Sequence, residues 1–215
     1  MTLSITRRLL PRPATLALAA LTALAACDDL RPYHGVVYDT PEPAPALALG
    51  APGGRTFDIA AERGNVVLVF FGYTRCPDIC PTTLADWAKV KRTLGTRAER
   101  VRFVFVSVDP ERDSPEATHR YAQRFDPAFV GLAGTPAQTE EVKRAWKVAA
   151  YPDIGAPVDA AHGDTTHGDA RDDGAAHRVV HSPPVYVVDR DGRLRLVYTS
   201  GVTSDQVASD VARLL

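Results

Sequence analysis

Cys76 and Cys80 are the residues of this chain most able to do chemistry. They sit in the stretch Gly72-Tyr73-Thr74-Arg75-Cys76-Pro77-Asp78-Ile79-Cys80-Pro81. An unbroken apolar run, Val66-Val67-Leu68-Val69-Phe70-Phe71, precedes it, and Leu84, Trp87, Val90 and Leu94 follow at helical spacing. This pattern predicts a buried strand turning into a helix, with both thiols at the junction. A helix start offers free N–H groups and a partial positive charge, which favour thiolate, the form that attacks disulfides and binds soft metals. At i, i+4 in a helical turn two side chains share a face. Such a pair can close around a metal, or form a disulfide once its Cα atoms come within about 7 Å. Two thiolates suit a soft ion such as Cu(I) better than a hard cation, and leave the site open to a third ligand. Pro77, Asp78 and Pro81 favour an exposed turn here over a pair of inert, buried cysteines.

The elements that must position this turn follow from the pattern on either side. Thr56 to Ile59 reads as one strand of an N-terminal hairpin turning at Gly53-Gly54. The run 66–71 is apolar on both parities and reads as a central strand covered on both faces. The helix after it carries Pro81 in its first turn and ends near Gly95. A second buried strand, 101–108, ends in Asp109-Pro110-Glu111-Arg112-Asp113-Ser114-Pro115, where Ser114 caps a helix reaching about Phe125. Phe129 to Leu132 is a short strand. Thr135 and Gln138 form a capping box opening a helix through Trp146, with Val142, Ala145 and Trp146 on its apolar face. A strand at 184–189, a turn at Asp191-Gly192 and a partner strand at 194–199 follow. Thr203 and Gln206 cap a last helix striped by Val207, Val211 and Leu214. The order predicts an α/β, thioredoxin-like fold: a central mixed β-sheet flanked by helices, with an N-terminal hairpin extension.

Length and charge set outer limits. The chain has 215 residues and a net charge of −1, with no basic cluster after the first dozen residues, which argues against a nucleic-acid partner. Three cysteines are too few for a disulfide scaffold. Residues 1–26 read as a signal peptide: Arg7, Arg8 and Arg12 are followed by an apolar stretch too short to span a bilayer. Leu24-Ala25-Ala26-Cys27 is similar to a bacterial lipobox, which implies cleavage before Cys27 and lipidation of its thiol. An ordinary signal peptide or an uncleaved anchor are the alternatives. Asp28 resembles an inner-membrane retention signal. The expected location is the periplasmic face of a bacterial inner membrane, with the lipid on Cys27, and Cys76 and Cys80 left as the free thiols. Residues 27–45, with prolines at 32, 41, 43 and 45, read as an extended tether, and His34 within it as a solvated surface residue. The domain is expected over 46–215.

His181 is the candidate third donor. It directly precedes Ser182-Pro183-Pro184 and the late strand, and on a thioredoxin plan the loop before that strand lies against the thiol turn and often holds a cis-proline. Pro183 or Pro184 suits that position. Upstream, residues 153–177 hold six Asp and three His and almost no large apolar side chain. They read as a flexible insertion. His162, His167 and His177 with Asp159, Asp164, Asp169, Asp172 and Asp173 offer a weak Cu(II) or Zn(II) site as the alternative to a plain solvated loop. A mobile insertion would also let His181 swing in and out of the thiol site.

Three motifs in this order resemble the SCO/SenC family of thioredoxin-like copper proteins: Gly72-Tyr73-Thr74-x-Cys76-Pro77-Asp78-x-Cys80-Pro81, Val106-Ser107-Val108-Asp109-Pro110-x-Arg112-Asp113-Ser114-Pro115, and His181-Ser182 with Asp189 beyond. The resemblance covers about 46–215, apart from the insertion. It implies copper, as Cu(I) and in some states Cu(II), bound by Cys76, Cys80 and His181. It implies delivery of that copper to the CuA centre in subunit II of cytochrome c oxidase. The alternative it carries is a thiol–disulfide oxidoreductase that reduces the CuA-site cysteines through the Cys76–Cys80 pair. Asp78 and Asp109 are the carboxylates expected beside the copper, against the simpler reading of each as a turn or cap residue. Arg112 and Asp113 can pair with each other or with a partner. A peroxiredoxin-like activity would need a Thr/Cys/Arg peroxidatic pocket that the chain does not offer. Copper on thiolates in an oxidising compartment needs reduced sulfurs. That requirement brings in a periplasmic thioredoxin-like reductase or a separate copper donor as a further partner.

Overall fold

The computed structural model describes residues 32–148, 150–153, 178–181, 184–199 and 201–215, and for 150–153 and 178–181 the description is of the backbone. In chain order the elements are β1 (Val36–Val37), β2 (Ala48–Ala51), β3 (Arg55–Asp58), β4 (Val66–Gly72), α1 (Ile79–Leu94), β5 (Val101–Ser107), α2 (Pro115–Gln123), β6 (Val130–Leu132), α3 (Pro136–Ala145), β7 (Ala150–Asp153), β8 (Arg178–His181), β9 (Val185–Val188), β10 (Leu194–Tyr198) and α4 (Ser204–Leu214). Six strands form the main sheet in the order β1-β10-β9-β4-β5-β6. β4 is parallel to β5 and β5 to β6, whereas β9 runs antiparallel to β4 and β10 to β9. This is the mixed sheet with flanking helices that the element order predicts, on a thioredoxin-like plan.

β4 is central because nothing in it needs water: all seven of its residues are buried. Side chains alternate between faces with a period of two. Val67, Val69 and Phe71 enter one core with Leu47, Leu49, Phe57 and Ile59 of the hairpin region and with Trp146 and Tyr186. Phe71 meets Trp146 at 5.7 Å and Tyr186 at 6.0 Å between ring centroids. On the opposite parity Phe70 meets Trp87 at 6.2 Å, and Trp87 continues to Phe103 at 5.5 Å. Parallel neighbours need a crossover between them, and α1 provides it between β4 and β5. α1 buries Leu84, Trp87, Val90 and Leu94 and stops at Gly95, whose φ of 59° suits a residue without a side chain. The hairpin β2–β3 turns through Pro52–Gly54, where Gly53 and Gly54 have φ of 73° and 71°. The caps form as the sequence predicts: Ser114 on α2, and full capping boxes at Thr135 and Thr203.

Two segments differ from the sequence reading. Part of the stretch read as a tether lies on the sheet. Val36 and Val37 pair with Val197 and Leu196, Leu194 N–H donates to Glu42 O at 2.9 Å, and Ala44 N–H to Gly192 O at 2.9 Å. His34, read as a free surface residue, holds Asp210. That carboxylate is fully buried and accepts from His34 N at 2.8 Å, Gly35 N at 3.1 Å and Tyr198 Oη at 3.2 Å, with His34 Nδ1 at 2.9 Å. A buried anion needs donors, and the incoming segment supplies three of these four. The second difference is at the insertion. β7 pairs antiparallel with β8, from Ala150 opposite His181 to Asp153 opposite Arg178, so the two ends of the insertion are joined by a ladder. Pro152 and Asp153 are poor strand formers alone, and their partner is remote in sequence. Residues 1–31, including the lipobox and Cys27, and residues 154–177, including His162, His167 and His177, lie outside the described residues. Among the described residues no helix is long and apolar enough to cross a membrane.

Candidate metal centre

The chain leaves β4 at Gly72, turns through 73–78 and enters α1 at Ile79. Cys76 lies in that turn and is half-buried, whereas Cys80 lies in the first turn of the helix and is fully buried. Cys76 therefore lies ahead of the helix and not within a helical turn shared with Cys80. Cys76 N–H donates to Tyr73 O at 3.2 Å, closing the turn. Cys80 N–H donates to Cys76 Sγ at 3.4 Å. The free N–H that a helix start offers is spent on the Cys76 sulfur. Cys80 is in the opposite situation. Its hydrogen bond with Cys76, together with burial, pushes its thiol far above the ordinary range, and the Tyr73 backbone only partly opposes this. The sequence expectation of a ready thiolate therefore does not hold for Cys80. The bond with Cys76 and burial both favour the protonated form of that sulfur.

Gly72 makes the close packing possible. A Cβ there would lie 2.5 Å from Cys80 Sγ and 2.7 Å from Phe105 Cε2. Phe105 in turn meets Tyr121 at 5.4 Å between ring centroids. Asp78 occupies the residue before α1 but makes no side-chain cap bond and is exposed on the turn.

The Asp109–Pro115 segment comes to the same place because β5 ends beside β4, with Ser107 opposite Gly72. Asp113 is 3% exposed. Its Oδ2 accepts from Thr74 N–H at 2.9 Å and Ser107 Oγ at 2.6 Å, and its Oδ1 from Thr74 Oγ at 2.6 Å. Arg112 approaches Asp109 at 3.6 Å. Asp109 is 9% exposed. Burial and the neighbouring Asp113 charge raise its carboxyl, with Arg112 pulling back. Asp113, Thr74, Ser107 and Gly72 are site residues that sequence reasoning quoted only as parts of motifs. Their one local signal is a small residue at each close approach.

His181 ends β8, opposite Ala150. Ser182, Pro183 and Pro184 separate it from Val185, which pairs with Phe70, two residues before Gly72. His181 thus stands just ahead in sequence of the strand that pairs with residues 67–70 of β4. Its side chain, and the cis-proline expected at Pro183 or Pro184, fall outside the described residues. Among the described side chains no group of three or more His, Cys, Asp or Glu gathers. The described donors are two adjacent sulfurs, one of them neutral and buried. That set suits a soft monovalent ion and leaves a coordination position for an imidazole.

A mixed sheet whose central strand ends in a dithiol turn, with a proline-led strand antiparallel beside it, defines a thioredoxin-like dithiol domain. Residues 48–215 match the SCO1/SenC family model, and the chain belongs to that family. It is 34% identical over 140 residues to an SCO2-like protein of Rickettsia conorii, covering 65% of this chain and 61% of the relative. The chain thus spans less than two thirds of that curated relative's length. Among solved structures it is similar to apo Sco1 of Thermus thermophilus, with 34% identity, a TM-score of 0.68, and coverage of 86% of this chain and 99% of that one. It is also similar to ScoI of Bradyrhizobium japonicum with copper bound, with 33% identity, a TM-score of 0.65, and coverage of 81% and 100%.

Proposed function

We propose that this protein holds copper as Cu(I) between Cys76, Cys80 and His181 and delivers it to the CuA centre of cytochrome c oxidase subunit II during assembly. The observation that carries the reading is the placement of two cysteines side by side at the end of the central strand, with Cys80 N–H donating to Cys76 Sγ at 3.4 Å. Membership of the SCO1/SenC family and the similarity to a copper-bound ScoI support it. Copper is the cargo. The thiols give up their protons as a cation enters, and regain them when a partner with stronger ligands removes it. The protein acts on the periplasmic face of the inner membrane, anchored through a lipid on Cys27, with 32–33 following the anchor segment and the sheet beginning at β1.

A second reading is favoured by the same pair of sulfurs. Release of Cu(I) leaves a dithiol, which can reduce a disulfide in the CuA site and become a Cys76–Cys80 disulfide, to be reset by a periplasmic thioredoxin-like reductase. The test is anaerobic transfer from the Cu(I)-loaded protein to a copper-free, reduced CuA domain. Copper recovered on the CuA domain after the two proteins are separated, with the CuA absorption developing once a one-electron oxidant such as ferricyanide is added to the loaded domain, supports delivery. No transfer to the reduced domain, together with reduction of an oxidised CuA domain by the copper-free dithiol, favours the second reading.

A further inference from the structure

We propose that Asp113 is a positioning residue for the thiol pair, acting through Thr74; the proposal rests on the copper-binding reading above. The carboxylate is buried, and the three donors it receives, one backbone N–H and two hydroxyls, are neutral. Two of the three belong to Thr74, the residue two before Cys76. Both the backbone and the side chain of Thr74 are fixed, which sets the direction in which the turn leaves β4. Bonds to an ionised acceptor are short and directional, and two of these are 2.6 Å.

The loop that carries Asp113 is closed by its backbone as well as by this side chain. Arg112 N–H and Asp113 N–H both donate to Asp109 O, at 3.2 and 3.0 Å, Ser114 caps α2 through Ala117 N–H at 3.2 Å, and Ser107 Oγ, which donates to Asp113, accepts from Asp109 N–H at 3.1 Å. The carboxylate also reaches across 39 residues of sequence to the thiol turn. After Thr74 the turn is closed by Cys76 N–H to Tyr73 O and by Cys80 N–H to Cys76 Sγ. Without Asp113, gathering the two sulfurs would require ordering the turn during metal capture. Holding it in advance removes that entropy loss. The Asp109–Pro115 motif, unexplained by metal ligation, gains a role as the clamp of the thiol turn.

The test compares Thr74→Val, which keeps the shape and the N–H but removes the hydroxyl donor, with Thr74→Ser, which restores it, and with Asp113→Ala. Cu(I) release to a chelator is timed, the Cu(II)–thiolate absorption is recorded, and folding is followed by circular dichroism. Thr74→Val and Asp113→Ala are expected to release Cu(I) about tenfold faster and to shift the thiolate band, while Thr74→Ser behaves as wild type. Wild-type release and an unchanged band in a folded Thr74→Val overturn the proposal, even if its unfolding temperature drops. A copper-free readout keeps the two readings apart. In glutathione buffer, the dithiol plus oxidised glutathione gives the Cys76–Cys80 disulfide plus two reduced glutathiones. A loosened turn shifts this equilibrium several-fold toward the dithiol. If the wild type binds no copper the functional reading fails, and an unshifted disulfide equilibrium in Thr74→Val then overturns this proposal as well.

Discussion

The Cys80 sulfur packs so closely over Gly72 that a Cβ on that glycine would lie 2.5 Å from Sγ. Gly72 is the last residue of β4, so the end of the central strand and the buried Cys80 sulfur position each other directly. Gly72→Ala must push Cys80 or Phe105 aside. Overpacking of this kind costs about 1–3 kcal/mol. We expect a lower midpoint in urea unfolding and, in the folded variant, weaker Cu(I) retention against a chelator. Wild-type behaviour in both would mean that the helix start moves freely.

The two thiols differ in surroundings, and their reactivity should differ accordingly. Cys76 is half-buried and Cys80 fully buried, with the Cys80 thiol held far above the ordinary range by its bond to Cys76 and by burial. The thiolate is the form that reacts with alkylating agents. Iodoacetamide at neutral pH should therefore label Cys76 first in the copper-free, reduced protein. Labelling of Cys80 in the native fold should grow only at strongly alkaline pH, as its proton is lost. Mass spectrometry of peptides after short pulses reads the order directly. Equal labelling of both at neutral pH would contradict the assignment.

The N-terminal segment is part of the fold's stability. Asp210 is fully buried, with donors from His34, Gly35 and Tyr198. Asp210→Ala leaves those donors unpaired and should lower stability by about 3 kcal/mol. His34→Ala removes one half-exposed partner and should lower it by about 1 kcal/mol. Removing residues 32–45 strips β1 from β10 and should destabilise more than His34→Ala. Equilibrium urea unfolding ranks the three, and a truncation as stable as the intact chain would show that this segment is a mere tether.

What the sequence revealed and what it concealed divide along sequence separation. The apolar run of β4, the caps at Ser114, Thr135 and Thr203, and the dithiol turn are local signals, and each stands where the pattern places it. Asp113 and Thr74 are 39 residues apart, and His34 and Asp210 are 176 apart. Nothing local tells a buried carboxylate which distant donor it will meet. Arg112 and Asp113 stand side by side in the motif and could pair with each other or with a partner; in the fold the Asp113 carboxylate reaches Thr74 at the end of β4 and the Arg112 guanidinium approaches Asp109. The β7–β8 ladder was concealed for the same reason: Pro152 and Asp153 read as loop until Val179 and Arg178 lie opposite them.

His181 decides between the two chemistries open to the sulfur pair, since disulfide exchange needs only Cys76 and Cys80 while a three-coordinate copper site needs the imidazole as well. The direct measurement is an anaerobic Cu(I) titration, against a competing chelator, of the reduced protein and of His181→Ala. The account predicts a single tightly held copper in the wild type and at least a tenfold weaker affinity, about 1.4 kcal/mol or more, in the variant. Equal stoichiometry and equal affinity in both would remove His181 from the site and leave the protein a dithiol reductase.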